Sequence, residues 1–167
     1  ALIMRNHPLA VELALAVRWA GAQWCPVNWH YKTDEVQYIL GNSGAKALVI
    51  DGDLLQGLPG LNTAGVQVWV SDAPARSAPN ESSWTDWRDR HDAWSGAGPA
   101  QRGAMFYTSG TTGRPKGIQR HAATPEQAVR MTTVRRQCYG FRVGMRALLS
   151  APIYHSAPNG YAVGAVL

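Results

Sequence analysis

Cysteine is scarce in this chain. Cys25 and Cys138 are the only two, far apart, with no Cys-x-x-Cys and no Cys/His spacing of a metal site. That excludes a disulfide scaffold and a zinc framework, and it points to reduced thiols in a cytoplasmic protein. Long apolar runs are missing too: none approaches the ~20 residues that cross a bilayer, so no transmembrane segment is expected. The opening Ala-Leu-Ile-Met-Arg-Asn lacks the charged-then-apolar order of a signal peptide and reads as a strand already under way. Acidic residues are outnumbered by basic ones by five. The cations gather around Arg114, Lys116 and Arg120 and again from Arg130 to Arg146, but aromatic rings that could stack bases are thin there. An anionic small molecule or a solvated helix face is expected there, not nucleic acid.

What is present is the material of one ordinary core, and its pattern is that of an α/β fold. Ala1–Met4 is short and apolar, and Pro8 opens a helix whose apolar positions (Leu9, Leu13, Ala16, Val17, Ala20) recur at helical spacing up to Gly21. Ala22–Asn28 reads as a short strand entering a turn. A helix begins at Thr33 with Asp34 and Glu35 in its first turn, turns Val36, Ile39 and Leu40 inward, and ends near Gly44. Lys46–Asp51 is a continuous apolar run of parallel-strand type, and Val66–Val70 repeats it. The alternation predicts a parallel sheet with helical crossovers over residues 1–70.

Residues 71–103 form a variable connector rich in Pro, Ser, Ala and Gly. Its Trp84, Trp87 and Trp94 could make a ligand platform, but the expected role is to pin an amphipathic connector to the domain. His91 lies beside Asp89 and Asp92, at offsets that do not share a helix face, so solvated polar residues are expected there and no metal site. Further on, Thr124-Pro125-Glu126 has the order of a helix start. That helix should run to about Gln137 with Ala128, Met131 and Val134 toward the core. Arg146–Ser150 reads as another strand. It would deliver Pro152-Ile153-Tyr154-His155 at its carboxyl end, where open parallel sheets bind ligands.

The chain is organised around Met105–Gly117, M-F-Y-T-S-G-T-T-G-R-P-K-G. An apolar run from Ala104 to Tyr107 reads as a buried strand opening into a loop of hydroxyls and glycines. It is not a Walker A loop, which needs four residues between its glycines and a Gly-Lys-Ser/Thr ending. Here Gly110 and Gly113 stand two residues apart, and Pro115 precedes the lysine. A plain surface loop accounts for Gly-Thr-Thr-Gly alone. With the strand before and Pro-Lys-Gly after, a polyphosphate site accounts for more: hydroxyl donors on Ser109, Thr111 and Thr112, open backbone N–H groups at the glycines, and a mobile cation on Lys116.

Tyr107–Gly117 resembles the phosphate-loop motif of the AMP-forming, adenylate-making enzymes, the superfamily of acyl-CoA synthetases, aryl-CoA ligases, luciferases and peptide-synthetase adenylation domains. Weaker similarities precede it in order, through Ala20-Gly21, Pro26-Val27-Asn28, Glu35 with Tyr38-Ile39-Leu40, Ser43-Gly44-Ala45 and Asp51. Pro152-Ile153-Tyr154-His155 resembles the second core motif of the same family. The resemblance implies that residues 1–167 are part of the large N-terminal domain of such an enzyme, with 104–167 carrying the phosphate loop and the acyl-pocket segment. It implies ATP, Mg²⁺ and coenzyme A as reaction components and a small carboxylic acid as partner. By position, Thr108, Ser109, Gly110, Thr111, Thr112, Gly113 and Lys116 would bind the phosphates, and Tyr154 and His155 would border the acyl pocket. No catalytic residue is assigned; Lys116 is the one candidate, following the departing pyrophosphate or clamping the loop. His155 on its own reads equally as a structural residue after a strand, and the family's chemistry does not require it as a base.

Family parts that the resemblance would imply are not found: no Tyr-Gly-x-Thr-Glu, no Thr-Gly-Asp, and no small mobile C-terminal domain with its lysine. The chain is therefore expected to be a fragment that binds ATP weakly or not at all and does not turn over. The motifs look most like bacterial fatty-acyl-CoA synthetases, with aryl-CoA ligases and amino-acid adenylation domains as rivals. A non-catalytic phosphate-binding module is the rival of another class.

Overall fold

The computed structural model describes residues 1–71, 81–108, 113–119 and 121–166. Its centre is a parallel sheet in which β1 (Leu2–Ile3), β2 (Ala47–Ile50), β3 (Gln67–Val70) and β4 (Glu81–Ser83) lie side by side in chain order. Register is continuous across it: Ile3 pairs with Ile50, Ile50 with Val70, and Val70 with Ser83. Helix α1 (Pro8–Trp19) and α2 (Thr33–Ser43) lie between β1 and β2 in the chain, and α3 (Gly52–Gln56) lies between β2 and β3.

Strand side chains alternate between the two faces, and here both faces are apolar, as a covered parallel sheet requires. Ile3, Leu48, Ile50 and Val68 turn to one side and pack with Val36, Ile39 and Leu40 of α2. Leu2, Met4 and Val49 turn to the other and pack with Leu9, Ala10, Leu13 and Ala14 of α1. Ala162 and Val163 of a later helix, α6 (Ser156–Val166), join that second cluster. Of the α1 positions read as apolar-spaced, Leu9 and Leu13 are buried and Val17 half-buried, while Ala16 and Ala20 are exposed; Val36, Ile39 and Leu40 of α2 are all buried as read.

Helix α2 is fixed at both ends. Glu35 accepts a 2.8 Å hydrogen bond from the Lys32 backbone N–H at its start. At its end Gly44 takes φ +64, a left-handed value that a side chain disfavours. The Trp-bearing connector contributes β4 and the short helix α4 (Trp84–Arg88). Trp69, Trp84 and Trp87 form one cluster with ring centroids 5.1–6.0 Å apart. Trp94 does not join them. It is 75% exposed, and its Nε1 donates to the Gly96 carbonyl at 2.7 Å, so only two of the three connector tryptophans pin the segment.

Three further expectations are corrected. Ala22–Asn28 forms a single bridge, Leu2 with Pro26, and no strand; proline has no N–H with which to continue a ladder. Arg146–Ser150 is not a strand either. Pairing makes a strand, and none of the described strands pairs with it; Leu148 stands 84% exposed. Helix α5 (Pro125–Tyr139) starts at the Thr124 cap as read, but it buries none of its residues. Met131 and Val134, expected inward, are about half exposed, because an apolar stripe is buried only where another element packs on it. Among the described residues no helix is long and apolar enough to cross a membrane.

Candidate functional site

The phosphate-loop sequence sits at the end of a hairpin that the sequence did not disclose. Strand β5 (Phe106–Thr108) pairs antiparallel with β6 (Lys116–Ile118), so Lys116 and Gly117 are strand and not loop. Residues directly opposite in the ladder share a face, and successive residues alternate. Thr108 therefore stands opposite Lys116 on one face, and Tyr107 opposite Gly117 on the other. Thr108 and Lys116 are exposed. Ser109, Gly110, Thr111 and Thr112 lie outside the described residues; Gly113, just after them, takes φ +89.

The face that carries Tyr107 turns to α2. Its hydroxyl donates to Asn42 Oδ1 at 2.7 Å, and on the other side of the loop the Arg114 guanidinium stands 5.3 Å from the centre of the Tyr38 ring. Residues 93–125 contain no carboxylate, so the polar side chains of the loop and its stems are hydroxyls, amides and cations, with no anion among them. That donor set fits a polyanion and disfavours a cation. Among the described residues no three His, Cys, Asp or Glu gather into a metal-holding group.

Burial holds the Tyr107 phenol up, to about 12, with the neighbouring Cys25 and Tyr38 adding to the effect. Burial likewise pushes the Cys25 thiol to about 11. For Tyr107 the sign is that of an acid kept protonated by the fold. Its contribution is intact below the ordinary tyrosine value of 10.0 and is lost as pH climbs toward about 12. In a phenolate titration followed by ultraviolet absorbance, Tyr107→Phe should remove the most alkaline tyrosine step. Loss of a step near the ordinary value instead would show that Tyr107 is solvated.

The second motif is placed by amide side chains that the sequence reading passed over. Asn6, just after β1, donates from Nδ2 to the Ala151 carbonyl and accepts at Oδ1 from the Ile153 N–H, both at 2.9 Å. Asn159, buried in α6, donates to the Ile153 carbonyl at 3.2 Å. The peptide before Tyr154 and His155 is thus held from two directions. Tyr154 meets the Trp29 ring edge-on at 6.5 Å and the His155 ring at 4.4 Å, and His155 itself is exposed. A buried Asn inside the apolar α6 run was the available signal; Asn6 was masked by its place in a turn-like Asn-His-Pro.

Arg5 lies over Trp29 at 5.5 Å and grips Asp53 with two hydrogen bonds of 3.0 and 2.7 Å. Asp51 accepts from the Arg5 backbone N–H at 3.0 Å and from the Ser71 hydroxyl at 2.7 Å. Arg5, Asp51 and Ser71 follow the carboxyl ends of β1, β2 and β3, the ligand edge of an open parallel sheet. A cleft of about 300 Å³ opens there between Arg5, Trp29, His30, Lys32 and Asp53. Among the predicted site residues, Thr108 is brought opposite Lys116 and Tyr154 beside His155. Among the described residues no hydrogen bond, ion pair or ring contact joins the two groups.

The AMP-binding enzyme family matches residues 1–167, and the chain belongs to it. Over 122 residues, 71% of the chain, it is 32% identical to N-(5-amino-5-carboxypentanoyl)-L-cysteinyl-D-valine synthase of Penicillium rubens, and it covers 3% of that protein. Over 133 residues it is 27% identical to 4-hydroxybutyrate–CoA ligase 2 of Metallosphaera sedula, covering 72% of this chain and 24% of that one. The fold matches ATP-bound MatB from Rhodopseudomonas palustris with a TM-score of 0.72 at 24% identity, over 99% of this chain and 32% of that one. The chain thus spans a third or less of the length of each of these proteins.

Proposed function

We propose that this chain is the phosphate-binding part of an AMP-forming acid–thiol ligase, whose whole activates a fatty acid as acyl-AMP and passes the acyl group to coenzyme A. One observation carries the reading. The hairpin sets Thr108 opposite Lys116 on its exposed side, at the two ends of a Thr-Ser-Gly-Thr-Thr-Gly-Arg-Pro-Lys sequence without carboxylates, within a chain that the family model matches over residues 1–167.

The chemistry has two steps. A carboxylate oxygen of the acid attacks the α-phosphorus of ATP; the bond to the β-phosphate bridging oxygen breaks, and pyrophosphate leaves with the electron pair. The thiol sulfur then attacks the acyl carbonyl carbon, the bond to the AMP oxygen breaks, and the thiol proton passes to solvent. No enzyme base is required for the first step, since the acid is already anionic at neutral pH. Rate comes from positioning and from charge stabilisation at oxygens that gain charge. Thr108, Ser109, Thr111 and Thr112 would supply hydroxyl donors, and Gly110 and Gly113 backbone N–H groups, to the β- and γ-phosphates. Lys116, free to swing on an exposed stem, would follow the charge onto pyrophosphate. Mg²⁺ would be held through phosphate oxygens and would neutralise part of their charge. Tyr154 and His155, fixed by Asn6 and Asn159, would line the acid's side of the site.

A second reading has its own support. The match to the Penicillium synthase is 32% identical against 27% for the CoA ligase, which favours an amino acid as the activated acid. Carboxylate-dependent ATP–pyrophosphate exchange separates the two. The complete protein would be assayed with fatty, aromatic and amino acids, with this 167-residue chain as control. Exchange with fatty acids alone supports the proposal; exchange with amino acids alone moves the assignment to the adenylation-domain reading. No exchange with any acid leaves a non-catalytic phosphate-binding module.

A further inference from the structure

We infer that Tyr38 and Asn42 of α2 are positioning residues that hold the two stems of the phosphate loop, Asn42 by binding Tyr107 on the entering strand and Tyr38 by stacking under Arg114 on the leaving side. The inference rests on the phosphate-loop reading for its functional meaning and on the contacts themselves for its structural content.

Residues four apart on a helix lie one above the other on a single face, so Tyr38 and Asn42 make one two-point mount. That mount is rigid for reasons given by the helix. Val36, Ile39 and Leu40 anchor its inner side to the sheet, and Gln37 is tied to Asn62 by hydrogen bonds of 3.1 and 2.8 Å. The stems it meets are the residues on either side of 109–112. Tyr107 is the last residue but one of the entering strand, and Arg114 follows Gly113.

Gly117 completes the arrangement. A Cβ at Gly117 would stand 3.0 Å from Cζ and 3.1 Å from the hydroxyl of Tyr107, and would collide with Met105 Cε. The Met105 methyl could swing away, but the tyrosine ring, held at its hydroxyl by Asn42, could not yield without breaking that bond. The final glycine of Pro-Lys-Gly thus serves as the seat of a ring, on the face opposite Thr108 and Lys116. Because the phenol stays protonated well past neutral pH, it remains a donor to Asn42 under ordinary conditions. The result is that Tyr107 and Arg114, on either side of the loop, are held against α2 before nucleotide arrives, and misplacement by about 1 Å is what such sites tolerate least.

The test uses the complete protein with Asn42→Ala, Asn42→Asp and Tyr107→Phe, singly and as the Tyr107→Phe/Asn42→Ala pair. Without nucleotide, Asn42→Ala should speed hydrogen exchange of the β5 and β6 amides by about two- to tenfold, the range expected for losing one hydrogen bond. Asn42→Asp, which keeps the acceptor, should restore protection. The pair should be no worse than either single change, since both remove the same bond. In the exchange assay KM for ATP should rise while KM for the acid stays put, a split that general loosening of the fold would not produce. Unchanged hairpin exchange in Asn42→Ala, or strict additivity in the pair, overturns the inference whatever the turnover. Faster hairpin exchange together with no pyrophosphate exchange in the unmodified protein upholds the mount and overturns the ligase reading instead.

Discussion

Lys116→Ala in the complete protein is expected to lower pyrophosphate exchange by about 10- to 100-fold, the equivalent of the ~1.5–3 kcal/mol that a hydrogen bond to a charged group contributes. The loss should fall on the chemical step more than on nucleotide binding. A lysine that follows charge onto the leaving group interacts more strongly with the transition state than with bound ATP, and such interactions appear in kcat. The substitution should leave the fold alone. Lys116 is exposed, on the hairpin face away from α2, and its backbone pairing with Thr108 does not depend on the side chain. Lys116→Arg should recover only part of the rate, because a planar fork does not replace a mobile point charge. Full exchange activity in Lys116→Ala, with the variant melting like the parent, would remove the lysine from the mechanism.

Ile50→Ala should destabilise the protein by about 2–5 kcal/mol, the cost of truncating a fully buried aliphatic side chain that leaves a cavity. Ile50 has no exposure, pairs with Ile3 on one side and Val70 on the other, and packs beneath α2. Three strands and the helix that mounts the phosphate loop meet on this one residue, so relaxation into the gap is hindered from every direction. Against a typical total of about 5–15 kcal/mol the loss is large enough to read directly from a urea midpoint. A shift equivalent to less than about 1 kcal/mol would mean that the core around β2 can collapse onto the space.

The first three strands of the parallel sheet were legible because they read as apolar runs, as at Lys46–Asp51; β4, Glu-Ser-Ser, carries no such run and was read as connector. The two helices were legible because a 3.6-residue period and a start signal coincide at Pro8 and at Asp34-Glu35. What escaped depends on partners distant in the chain. The β5–β6 hairpin carries lysine and glycine in its second strand, directly after Pro115, residues that local preference assigns to a loop. Ladder pairing with Phe106–Thr108 overrides that preference. Asn6 reads as a turn residue, and only its bonds to residues 151 and 153 reveal what it holds. The Arg146–Ser150 misreading has the opposite cause. An apolar run satisfies a strand pattern, but pattern cannot say whether a neighbour exists. At the site, a motif named the candidate phosphate-binding residues, while Tyr38 and Asn42, which touch Arg114 and Tyr107 beside them, carry no motif at all.

The side-by-side order of β1 to β4 bears on how the molecule comes into being. Each strand after the first docks on the one synthesised just before it, so no gap must be held open for a later arrival. A sheet of this kind can grow at one edge as the chain leaves the ribosome, where N-terminal segments fold first. By the time Tyr107 emerges, α2 and the strands beneath it are already complete. Tyr107 and Arg114 would then dock on a finished surface, taking their places from a mould older than themselves.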